Sequence, residues 1–150
     1  MRRAPTPPPR PLALRLLVGL LLFQGLSGLG GGIGLMMDPS GQALGLSMTL
    51  LEGSPFPDYL VPGLILFIVL GMAPMVAARV VWEGRPGSWM AALAVGGALV
   101  IWIAVQIRMV GYQARPPLQA VYGVLGVILI LLSLTGSVRR PAPPPTTSRR

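Results

Sequence analysis

Long uncharged apolar runs, broken by short stretches of turn residues and charges, set the pattern of this 150-residue chain. Four runs separate cleanly, at residues 16–36, 59–78, 88–107 and 118–137. At about 1.5 Å per residue, some twenty residues of helix reach across a hydrocarbon core of about 30 Å. A backbone surrounded by lipid must satisfy its own hydrogen bonds, so apolar runs of this length predict α-helices even where, as in 118–137, valine and isoleucine abound. The expected fold is all-α, a four-transmembrane-helix bundle over residues 12–138, with a long outer loop at 37–58.

Local signals mark the ends of these runs. Pro11 suits an opening turn, Asp58 stands where it can cap the second run, and Pro74 is expected to kink that run's far half. Ser88 can cap the third run, with Trp89 at interface depth, and Arg108 marks its far end. Pro116 and Pro117 precede the fourth, which Arg139 and Arg140 stop. Residues 1–11 and 139–150 are rich in proline and arginine, and are expected to be disordered tails that no core can absorb.

Composition sharpens this picture. A chain with 53% hydrophobic residues, 11% charged residues and a mean hydropathy of +0.70 is too apolar for an ordinary soluble domain. It has no cysteine, hence no disulfide or thiolate metal site, and no histidine, the commonest zinc, haem and general-base residue. Its four acids, Asp38, Glu52, Asp58 and Glu83, are scattered rather than set at ligand spacing. No cofactor, metal or catalytic residue is therefore expected. The net charge of +8 does not point to nucleic acid, because the arginines fall at span edges and on the tails instead of on one folded surface. Membrane lipids are the expected partners.

Arginine placement sets the orientation. With the N-terminus in the cytoplasm and four crossings, Arg2, Arg3, Arg10, Arg15, Arg79, Arg85, Arg139, Arg140, Arg149 and Arg150 lie inside, and Arg108 and Arg115 lie outside. Ten against two is a strong positive-inside bias, so both termini are expected in the cytoplasm.

The first run is unusual in its glycines. At 100° per residue, Gly25, Gly28 and Gly32 share one narrow face with Gln24 and Gly31 beside them, and Gly30 and Gly34 repeat the small-residue spacing. Such a face invites close approach by another helix. The leading expectation is packing within the same bundle, against surfaces such as Gly96, Gly97, Gly123 and Gly126, with a homo-oligomer or a partner membrane protein as the alternative. Gln24 and Gln106, the amides at membrane depth, should face other helices, because lipid leaves their donors unpaired.

In the outer loop, Asp38-Pro39-Ser40-Gly41 reads as a turn, and Ser54-Pro55-Phe56-Pro57 as an extended lead into the second helix. The apolar residues between them are expected to cap the bundle or lie in the interface. Asp38, Asp58 and Arg108 should reach similar depth at the outer face, which suggests an outer charge cluster with Arg108 paired to one aspartate.

The stretches GGGIGLMMDPSGQALGLSMTLLEGSPFPDYLVPGLIL, ALVIWIAVQIRMVGY and PLQAVYGVLGVILILL resemble an uncharacterised family of small bacterial four-helix integral membrane proteins. The resemblance spans residues 16–137 and implies four spans in a bacterial inner membrane. It carries no activity or site residue. The sequence thus leads to a non-enzymatic structural or accessory membrane component. The alternative is a small-molecule transporter or pore using Gln24, Ser27, Trp102 and Gln106, with Pro74 as a gate. A lipid-acting enzyme built on Asp38, Asp58 and Arg108 is the remaining class.

Overall fold

A computed structural model describes residues 10–139 and is all-helical over that range; residues 1–9 and 140–150, which hold most of both expected tails, lie outside it. The main helices are α1 (Leu12–Met37), α2 (Leu60–Trp82), α3 (Ser88–Val110) and α4 (Leu118–Ser133), followed by the short α5 (Gly136–Arg139). The first three, of 26, 23 and 23 residues, are long and apolar enough to cross a membrane. They extend beyond the expected spans by as much as four residues at an end, because arginines near the ends still have their long stems on helix. At 16 residues, α4 rises only about 24 Å, and it stops four residues short of the expected 137. There the hydroxyls of Ser133 and Thr135 donate back to the carbonyls of Ile130 and Leu132, and Gly136 follows.

The α1–α2 and α3–α4 pairs each run antiparallel, as the order of their contacts shows. Along α1, Gly25, Gly28, Gly32 and Leu35 face Met75, Leu70, Phe67 and Gly63 of α2 in turn. Between α3 and α4, Gly96 meets Gly126 and Ile130, and Ile103 meets Gly123. A Cβ on Gly96 would lie 2.9 Å from the Gly126 carbonyl oxygen, so these two backbones touch because neither residue has a side chain. The rings of Phe23 and Tyr122 stack 6.3 Å apart and join α1 to α4. Leu17, Leu21, Leu70, Leu99 and Leu129 fill the centre. Outward, large apolar residues such as Leu26, Val76, Ile101 and Leu131 stay exposed, which in a lipid solvent carries no cost.

The loop at 37–58 folds over the adjoining ends of α1 and α2 as a cap. The turn forms as expected, with the Gly41 amide donating to the Asp38 carbonyl, and Gly41 adopts φ 78°. Two short 3₁₀ turns follow, Gln42–Leu44 and Met48–Leu51. Tyr59 anchors the cap: its amide donates to the Pro39 carbonyl, its hydroxyl donates to the Ser47 carbonyl at 2.8 Å, and its ring lies against Gly41. Leu35, Leu51 and Tyr59 form a small separate core beneath.

Candidate functional site

The centre of the α1–α2 seam is where the sequence-derived site residues meet. Gln24, Gly25, Gly28 and Gly32 are all buried there, and α2, not the α3–α4 glycines, covers them. At Gly28 an added Cβ would run into the Leu70 carbonyl, and at Gly32 it would lie 2.7 Å from the Phe67 amide nitrogen. Gly30, on the other face, has nothing within 4 Å, so of the two repeated spacings only the Gly28–Gly32 pair belongs wholly to this seam.

Pro74 explains what Gln24 does. Proline has no amide hydrogen, and its ring clashes with the carbonyl four residues earlier, which here is Leu70. The helix answers by widening into a π turn at Ile68–Met72, the form Pro74's expected disturbance takes in this chain. Gln24 Nε2 then donates to the Leu70 carbonyl oxygen at 3.1 Å. An amide that the sequence marked as interhelical glue thus bonds to backbone that a proline on the facing helix has freed. Gln24 is 1% exposed, and its Oε1 has no hydrogen-bond partner among the described residues.

Gln106 is half-buried on α3 and its side chain makes no hydrogen bond among the described residues, so the two amides do not join. Two open grooves lie on the surface of the bundle. One of about 360 Å³ is lined by Trp89, Leu134, Gly136 and Arg139, and one of about 590 Å³ lies between α1 and α2 near Arg15 and Trp82. Neither is lined by Gln24, Ser27, Trp102 or Gln106.

The outer charges do not assemble as expected. Among the described residues no ion pair or hydrogen bond joins Arg108 to Asp38 or Asp58, and Arg108 is exposed. Each aspartate is already committed to its own backbone. Asp38 accepts from the Ser40 hydroxyl at 2.6 Å, the Ser40 amide at 3.1 Å and the Ala43 amide at 2.8 Å; Asp58 accepts from the Leu60 amide at 2.9 Å. Local bonds of this kind form at far lower entropic cost than a pair to a long arginine on another helix. The Ser40 hydroxyl first, then the Ala43 amide, holds the Asp38 carboxyl below its ordinary value.

Sequence reasoning missed Gln119. Its Oε1 accepts from the Gln113 amide at 2.8 Å and its Nε2 donates to the Gly111 carbonyl at 3.2 Å, closing the α3–α4 connection on itself. Its place in the first turn of an apolar helix, just after two prolines, is the signal that could have singled it out.

Charges gather at the opposite end of the bundle. Glu83 accepts from Arg79 at 2.8 Å and Arg85 at 2.6 Å, which lowers its carboxyl below the usual range, with the Arg79 bond the larger cause. The Arg10 guanidinium lies 3.9 Å over the Trp82 ring, and that of Arg139 lies 4.5 Å over Trp89. Both ends of the described chain are therefore tied to the α2–α3 turn. Among the described residues no group of three acids, histidines or cysteines comes together that could hold a metal ion. Compared with protein families, with curated proteins and with solved structures, the chain finds no match.

Proposed function

We propose that this chain is a four-crossing integral membrane protein of a bacterial inner membrane, with both termini in the cytoplasm, serving as a non-enzymatic structural or accessory component. The observation that carries the reading is the closed centre. Gln24, the most deeply placed amide, is bound to the Leu70 backbone inside a seam with no room even for a Cβ. A carrier would need that region to open to water. Four crossings are supported by the ten-to-two arginine bias and by Arg10 and Arg139 both reaching the α2–α3 turn. The short α4 reaches that end with the help of residues 134–139. With the glycine face covered within the chain, lipid or a partner membrane protein meets the outer apolar surface.

The alternative, a small-molecule transporter or pore, draws on one observation: the unpartnered Gln24 Oε1. The test is flux. Purified protein in sealed vesicles should pass protons, potassium ions and small neutral solutes no faster than protein-free vesicles do. Solute-selective flux that Gln24→Leu abolishes would replace the accessory reading with the transporter.

A further inference from the structure

A surface groove of about 590 Å³ runs between the first half of α1 and the last turns of α2 and is largely open to the outside of the bundle. Its walls are apolar, from Val18, Leu22 and Met75, and Gly19 leaves its α1 side bare, since a Cβ there would meet nothing within 4 Å. Arg15 and Arg79 border it, and Trp82 closes its end.

Depth and charge decide what fits. Arg15 stands three residues inside the start of α1 and Arg79 three residues inside the end of α2. Because the helices are antiparallel, both Cα atoms stand about one turn, or about 5 Å, in from the same end of the bundle. That is the level from which an arginine snorkels to lipid phosphates. All four acids of the chain are accounted for: Asp38, Glu52 and Asp58 belong to the loop at the other end, and Glu83 is taken by Arg79 and Arg85. Arg15 has no ion-pair partner among the described residues. Arg15 and Arg79 line the apolar groove, Arg10 lies over the Trp82 ring at its end, and Arg85 shares Glu83 with Arg79.

The geometry points to a binding site for an anionic phospholipid, with the phosphate on Arg15 and Arg79 and one acyl chain in the groove along Val18, Gly19 and Leu22. Free phosphate would satisfy the arginines but leave the apolar walls bare. A zwitterionic lipid would fill the walls but bring an ammonium toward the two arginines that line the groove. The site rests on the chain's residing in a bilayer, and not on which side its termini lie.

Trp82 makes the site measurable. With Trp89→Phe and Trp102→Phe in the full chain, Trp82 is the sole tryptophan, and its fluorescence in reconstituted vesicles reports brominated lipid in the groove. Brominated phosphatidylglycerol should compete for the site roughly fivefold or more better than brominated phosphatidylcholine, the preference expected from one arginine near a lipid surface. Arg15→Gln should cut that preference severalfold. Gly19→Leu, which keeps both arginines and fills the groove, should reduce quenching by both lipids, and its helical circular dichroism shows whether the fold is kept. Inorganic phosphate added to phosphatidylcholine vesicles should leave the quenching unchanged. Equal quenching by the two lipids, a preference untouched by Arg15→Gln, displacement by free phosphate, or a Trp82 shielded from both lipids by a second copy of the chain would each overturn the site.

Discussion

The side-chain amide of Gln24 donates to the main-chain carbonyl of Leu70, the carbonyl that Pro74 leaves without its helical partner. A polar residue in one helix and a helix breaker in another therefore act as a pair. Removing Gln24 alone, as Gln24→Leu, leaves a buried carbonyl unpaired and should cost about 1–3 kcal/mol of stability. Pro74→Ala restores an N–H opposite Leu70, so Gln24→Leu should cost much less in that background. Thermal unfolding of the four proteins in detergent gives the coupling directly. Equal costs in both backgrounds would show the two residues to be independent.

The glycine seam separates two classes of position. Gly28→Ala and Gly32→Ala should each destabilise by about 1–3 kcal/mol, because the added methyl meets backbone that cannot swing aside. Gly30→Ala meets nothing and should be neutral, or stabilise by up to about 1 kcal/mol through helix propensity. If all three behave alike in a detergent melt, α2 does not lie where the seam requires.

These contacts show what the sequence could carry and what it could not. Run length and the absence of charge made the three long helices legible, and 100° spacing put Gln24, Gly25, Gly28 and Gly32 on one face. Spacing cannot say which helix covers a face. That depended on the register of α1 against α2, so the glycines of α3 and α4 looked like partners for α1, whereas Gly96 and Gly126 meet each other, Gly123 meets Ile103 and Gly97 meets nothing within 4 Å. The π turn was hidden for a related reason: Pro74 announced a disturbance, but its form depends on a side chain fifty residues earlier. The expected Arg108 pairing failed because depth alone was considered, while each aspartate had nearer donors in its own loop.

Arg108→Gln follows from that correction. With no partner among the described residues to lose, the substitution should change stability by less than about 0.5 kcal/mol. A loss of 2 kcal/mol or more, an order of magnitude set by breaking a paired charge, would reinstate the outer clasp.

The outer cap should be acid-sensitive through Asp38. Its carboxyl lies below its ordinary value of 3.8 when folded, so the unfolded loop binds the proton more tightly. The cap's stabilisation is therefore complete above the unfolded value and is lost as pH falls through the folded one. Protection of the Ser40 and Ala43 amides, which donate to this carboxylate, should fall below about pH 4 when their exchange is taken relative to the intrinsic rate at each pH. In Asp38→Asn the same amides should exchange faster at neutral pH and lose that acid step. A wild-type loop whose protection is flat through this range would show that Asp38 does not hold the turn.

The central claim is four crossings with both termini on the cytoplasmic side, and the chain is suited to testing it because it contains no cysteine. Single cysteines placed as Ala43→Cys, Pro86→Cys, Ala114→Cys and Ser148→Cys sample the three connections and the C-terminal tail. In intact spheroplasts a membrane-impermeant maleimide should label the cysteines at 43 and 114 and spare those at 86 and 148, which should react only after permeabilisation. Protection at 114 together with 86, or labelling at 148 together with 114, would contradict the account, the first by denying α3 its crossing and the second by denying α4.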